Sequence, residues 1–140
     1  MPDPEITIER DAPASIVAYL EDRLYEFNVQ ATAIADGMGL TALLRDENNE
    51  IVAGINGHTW GASCEIKQLW VAASQRRRGL GRRLLEAAEA EAIRRGCVQM
   101  LLSTHSFQAP GFYEKLGFER IASIPNYPRG HEQIFFKKVL

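Results

Sequence analysis

Cysteine is scarce in this chain: Cys64 and Cys97 are the only two among 140 residues. Two thiols cannot build a disulfide framework, and this pair lacks the short spacing of a zinc site. Both are therefore expected as reduced, buried, small apolar side chains. Long apolar runs are also missing. None approaches the roughly 18 to 20 residues that a membrane span needs, and Met1-Pro-Asp-Pro-Glu5 has no basic segment leading into an apolar one. The expectation is a cytoplasmic protein with no membrane partner. No Gly-Lys pair followed by Ser or Thr occurs, which excludes a P-loop, and G-x-G-x-x-G fails because Leu84 stands three places after Gly81. Without a G-x-S-x-G elbow a Ser-His-Asp hydrolase is unsupported. His58, His105 and His131 share no metal-ligand spacing, so no metal is expected.

The residues that are present suit one soluble domain covering 1–140, with 46% hydrophobic and 24% charged side chains. Sixteen basic and eighteen acidic residues give a net charge of −2, yet five arginines fall within one short stretch, at 76, 77, 78, 82 and 83. The positive field is local, which suits a compact anionic ligand better than a nucleic-acid track; no nucleic-acid partner is expected. That stretch joins the strand-like Leu69-Trp70-Val71 to a helix-like run starting near Leu80. Gly79 and Gly81 let the backbone turn tightly, and the first amides of a following helix have no intrahelical partners. With the helix dipole and the arginines, such a start attracts anions, and a phosphate-bearing ligand is the natural guest.

In order along the chain, Ile6 to Glu9 alternates and predicts a short strand. Asp11 offers an N-cap, Pro13 suits a first turn, and Ile16, Val17, Leu20, Leu24 and Phe27 follow at helical spacing. A short helix over Ala31 to Ala35 is broken by Gly37 and Gly39. Leu40 to Arg45, Ile51 to Thr59 and Cys64 to Val71 predict three strands in meander order. A helix from Leu80 should bury Leu84, Leu85, Ala88, Ala92 and Ile93 and end at Arg94-Arg95-Gly96. Val98 to Ser103 predicts a central strand, Pro110 to Leu116 a short helix, and Phe118 to Ile124 and Gln133 to Val139 two closing strands. The result is an α+β or α/β arrangement around a mixed sheet.

The pattern Arg76-x-x-Gly79-x-Gly81 after a strand, followed by Phe112-Tyr113-Glu114-Lys115-Leu116-Gly117-Phe118, resembles the GNAT superfamily of N-acetyltransferases. The resemblance covers nearly the whole chain. It implies the acyl-CoA N-acyltransferase fold, a mostly antiparallel sheet flanked by helices, and acetyl-CoA as donor to a small-molecule or peptide amine. It also implies cofactor contacts by Leu69, Trp70, Val71, Arg76, Arg77, Arg78, Gly79, Leu80, Gly81, Arg82 and Ser106. The thioester carbonyl would meet the backbone N–H of Trp70 or Val71, and Leu69 and Val71 would use main-chain atoms. Tyr113 is implied as the general acid. Glu65, 14 residues before Gly79, stands at the base position of the histone-acetylating branch, with His131 in Tyr127-Pro-Arg-Gly-His131 as the reserve base.

Three departures bear on those roles. Ser106 stands where many members carry Asn, Pro110 falls where a full helix turn is usual, and Lys67 stands where a group of small bacterial members tends to be acidic. Glu21, Asp22, Glu26 and Glu65 hint at a cationic acceptor such as a polyamine, aminoglycoside or lysine side chain. The second class kept open is a non-catalytic acyl-CoA sensor or protein-interaction module, which needs the loop but neither Glu65 nor Tyr113. Edge pairing of the last strands would allow a homodimer, although nothing in the sequence demands one.

Overall fold

The computed structural model describes residues 1–140, which form two compact units, Met1–Ala35 and Asp36–Leu140. In the first unit, residues 1–13 carry no regular structure and α1 spans Ala14–Thr32. The strand expected over Ile6 to Glu9 is absent: alternation marks a segment that could pair but supplies no partner. Asp11 is not the N-cap either. It adopts a left-handed φ of 49°, and Pro13 occupies the cap with no side-chain hydrogen bond. The helix predicted separately at Ala31 is the last turn of α1. Ala33 closes it in the left-handed conformation, its N–H donating to the Val29 carbonyl at 2.7 Å.

The second unit holds β1 (Met38–Arg45), β2 (Ile51–Trp60), β3 (Ser63–Val71), α2 (Leu80–Arg94), β4 (Gln99–His105), α3 (Pro110–Lys115), β5 (Glu119–Pro125) and β6 (Glu132–Val139), with a 3₁₀ turn at Ala73–Gln75. One six-stranded sheet runs in the order β1-β2-β3-β4-β6-β5. Every pairing is antiparallel except β3 with β4. The mostly antiparallel mixed sheet is the one the sequence implied.

Helix α2 packs Leu80, Leu84, Leu85, Ala88 and Ala92 against the sheet. Of these, Leu84, Leu85, Ala88 and Ala92 meet Leu40, Ile55, Ile66, Met100, Ile134 and Phe136 in one core. Fully buried side chains such as Leu85 and Phe136 each contribute about 1.5–3 kcal/mol. Ile93, expected inside, is 54% exposed, because it falls outside the helix face that points at the strands. Both cysteines are free and buried.

Two irregularities prepare the site. Between β2 and β3 the register slips by one residue: Gly57 opposes Ile66, whereas Asn56 opposes Gln68, so Lys67 is an extra residue in β3. The second is where β3 and β4 part. Their parallel ladder runs only from Ser63↔Gln99 to Ile66↔Leu102. Beyond that rung β3 continues to Val71 along β2, and β4 continues to His105 along β6.

Candidate active site at the parting of the two parallel strands

The bulge decides which side chains of β3 face which way. Cys64 and Ile66 point into the core, and strict alternation would send Gln68 and Trp70 after them. The extra residue reverses the phase: Leu69 and Val71 pack on the core, while Gln68 and Trp70 share the opposite face with Glu65. The backbone follows the same logic. Ala72 donates its N–H to the Val52 carbonyl at 2.8 Å, which makes Ala53↔Val71 a non-hydrogen-bonded pair and Gly54↔Trp70 a hydrogen-bonded one. The amides of Leu69 and Val71 therefore face the gap beyond the last β3–β4 rung. The Trp70 amide faces β2, which removes it from the main-chain contacts expected of it toward a ligand in the gap.

The arginine-rich loop lies at the open end of this gap. Gly79 caps α2 at φ 72°, a left-handed conformation that glycine adopts without strain, and a Cβ there would meet nothing within 4 Å. No side chain caps the helix and no acidic residue occupies its first turn. The first amides, of Leu80, Gly81 and Arg82, are thus left to an external acceptor. Leu80 can take part only through its backbone, since its side chain is buried. Arg76 reaches back to donate from Nε to the Val71 carbonyl at 3.3 Å, Arg78 is held by Gln75, and Arg82 pairs with Glu86 at 2.8 Å. Arg77 is exposed on a left-handed backbone, φ 64°. The loop as a whole is an open, cationic stretch at the start of α2.

Tyr113 in α3 sits on the core face of the gap. Its ring is 9% exposed and lies among Phe112, Phe118 and Phe136, with centroids at 5.1, 5.9 and 5.8 Å. Phe136 opposes Leu102, the last residue of β4 to pair with β3, so the phenol lies beside the point where the strands separate. A phenol is protonated at neutral pH at its ordinary pKa of 10.0, and burial pushes that pKa further up. Gly81 links this helix to the loop: a Cβ there would touch Phe112 at 3.5 Å.

On the other face, Glu65 opposes His58 in β2 and Leu101 in β4. Its Oε1 lies 3.9 Å from His58 Nε2 and 3.8 Å from Lys67 Nζ, and the carboxylate is half exposed. A cavity of about 370 Å³ opens here, lined by Glu65, Lys67, Gln68, Leu102, Ser103 and Phe136 among others. The larger cavity, about 610 Å³, lies between α2 and the end of α3, bordered by Arg82, Glu89, Lys115 and Lys138. It touches the loop through Arg82 but reaches neither Glu65 nor Tyr113. The smaller cavity is the better candidate for chemistry because it spans the last shared rung of the two strands.

Ser106, exposed after β4, donates its N–H to the Glu132 carbonyl at 2.9 Å and accepts the Glu132 N–H on Oγ at 3.0 Å. It thereby ties the Tyr127–His131 turn to the end of β4 and keeps one hydroxyl proton to donate. His131 packs edge-on against Phe107, away from the Glu65 cavity. Gln68 and Ser103 went unnoticed in the sequence, since only the bulge and the strand register bring them to the cavity wall. No group of three or more His, Cys, Asp or Glu side chains gathers to hold a metal, and no helix is long and apolar enough to cross a membrane.

Comparison with known proteins points one way. The sequence profile of the acetyltransferase (GNAT) family matches residues 6–118. A blasticidin-S acetyltransferase of Streptomyces morookaense is 44% identical over 85 residues, 60% of this chain and 62% of that protein. The match thus spans less than two thirds of that relative's length. The crystal structure of an Agrobacterium tumefaciens protein described as an acetyltransferase superposes at a TM-score of 0.87 and 26% identity, covering 98% of this chain and 100% of the other. A Bacillus anthracis protein described as a streptothricin acetyltransferase, crystallised with acetyl coenzyme A, shares the fold at a TM-score of 0.64 and 21% identity, over 73% of this chain and 62% of its own.

Proposed function

The chain belongs to the acetyltransferase (GNAT) family, and on that premise we propose that it is an acetyl-CoA-dependent N-acetyltransferase acting on a primary amine by direct attack in a ternary complex. What carries the reading is the parting of β3 and β4 beside a cationic helix start, with a buried tyrosine on one face and a carboxylate on the other. The pyrophosphate is assigned to the amides of Leu80, Gly81 and Arg82 and to the side chains of Arg76, Arg77, Arg78 and Arg82. Gly79 leaves the backbone approachable, and the cavity that Arg82 borders suits the nucleotide end. Leu69 and Val71 offer main-chain groups along the gap, and Ser106 one hydroxyl donor. Residues 1–140 act in this reading as a single catalytic domain.

Acetyl-CoA supplies the acyl group: a C–N bond to the amine forms as the C–S bond breaks, and the bonding pair leaves on sulfur. The residues then handle charge and protons. The Val71 N–H, free of β2, is the donor for the thioester oxygen. An alkylammonium is not nucleophilic, so a base must take its proton; Glu65 fills that role, directly or through water, with His58 as its neighbour across the strands. Tyr113, a phenol protonated at neutral pH, returns a proton to the departing thiolate. The acceptor is a small-molecule amine, in keeping with relatives named for antibiotic acetylation.

Tyr113→Phe tests the assignment. Thiol release should fall by about 10²-fold or more while acetyl-CoA affinity stays within twofold, since general acid catalysis contributes about 10² to 10⁴. Full activity of that variant on every accepted amine contradicts the role.

A further inference from the structure

We propose that the cavity beside Glu65 selects amines that carry a carbonyl or carboxylate oxygen close to the nitrogen, such as amino amides or amino acids, over plain alkylamines and polyamines. The inference rests on the acetyltransferase reading and names the acceptor class for that same site. It starts from a polar ladder across three strands. The Thr41 hydroxyl donates to Asn56 Oδ1 at 2.8 Å, and Asn56 Nδ2 donates to Gln68 Oε1 at 2.8 Å. Because the amide oxygen of Gln68 is occupied by Asn56, its NH₂ remains free on the cavity wall. Ser103 repeats the pattern from β4. Its Oγ accepts from Gln133 Nε2 at 3.1 Å, which leaves the hydroxyl proton to donate into the same cavity.

The remaining polar groups complete the complementarity. Lys67, the bulge residue, adds a third donor and a positive charge, 3.8 Å from the Glu65 carboxylate. The wall therefore offers three donors and one anionic acceptor. An amine directed at Glu65 would carry its second polar group toward Gln68, Ser103 and Lys67, where an oxygen is satisfied and a second ammonium is repelled. A polycation fits the acidic residues of the chain at large but not this wall. Asn56 is a positioning residue, acting only by fixing which end of the Gln68 amide faces the ligand.

The probes are β-alaninamide and n-pentylamine, similar in length and differing in the oxygen-bearing end. Their binding to the protein saturated with CoA is read by calorimetry, and their KM and kcat by thiol release. The wild-type protein should bind β-alaninamide about tenfold more tightly than n-pentylamine, the scale of one or two hydrogen bonds. Gln68→Leu should erase that ratio, the loss falling mainly on KM for β-alaninamide, while acetyl-CoA affinity stays in place. Asn56→Asp gives the sharper test. A carboxylate at that position can only accept, so the Gln68 amide turns its NH₂ inward and shows its oxygen to the cavity. The preference should then be lost, although the side chain stays the same size. Equal binding of the two amines by wild-type protein, or a ratio unmoved by both substitutions, overturns the proposal while leaving the acetyltransferase reading intact. Selective binding of the amide without thiol release from any amine supports the recognition site and removes the catalytic reading.

Discussion

Gly57 is the most exacting position near the site, and its replacement by alanine can be worked out from the geometry. A Cβ at Gly57 would lie 2.1 Å from the Glu65 carbonyl oxygen and 3.0 Å from the Ile66 Cα. A comfortable carbon–oxygen contact needs about 3.3 Å, so β2 and β3 must separate by about 1 Å in the middle of the sheet. That shift strains the ladder on both sides of the bulge. Lengthening two ladder bonds costs about 1–2 kcal/mol and the overpacking itself about 1–3, for a total of about 3 kcal/mol. In a 140-residue chain this lowers the melting temperature by about 10 °C. Gly39→Ala in β1 is the control. There a Cβ meets nothing within 4 Å, and alanine should be neutral or add a few tenths of a kcal/mol. Calorimetric melts of the two variants check the argument. A Gly57→Ala protein that melts within about 2 °C of the control refutes it, and with it the close approach that shapes the bulge.

Other outcomes follow from the same structure. Gly79→Val should weaken acetyl-CoA binding by about tenfold or more in titration calorimetry, because a β-branched residue at φ 72° loses the turn that exposes the helix amides. Burial pushes the Cys64 thiol up to about 11 from an ordinary 9, so its contribution to stability is complete below pH 9 and is lost as pH rises through about 11. Alkaline unfolding followed by circular dichroism should therefore steepen in that window, and Cys64→Ala should flatten it. A thiol reagent at pH 8 should modify Cys64 in unfolded protein far faster than in native protein, and equal rates would contradict its burial.

How much of this was legible in the sequence depends on whether a feature is local. The helix start at Leu80 and its buried positions at 84, 85, 88 and 92 were readable because glycine, arginine and a 3.6-residue period lie within one segment. Ile6 to Glu9 failed because alternation is satisfied by any partner or none. The bulge at Lys67 was the more instructive loss. It depends on Gly57, ten residues away in another strand, giving way to the Glu65 carbonyl, and no pattern within β3 announces it. Without the bulge, Gln68 and Trp70 count as core-facing and the polar ladder from Thr41 is invisible. Ile93 fits the helical period broadly but falls at the edge of a face whose width the sheet sets.

The central claim is that the gap between β3 and β4 and the loop from Arg76 to Arg83 form an acetyl-CoA site. Titration calorimetry with acetyl-CoA, run beside thiol release against a panel of primary amines, tests it most directly. Saturable binding and amine-dependent release are the expected result. Binding with no release on any amine would support the sensor alternative, and no binding at all would contradict the claim.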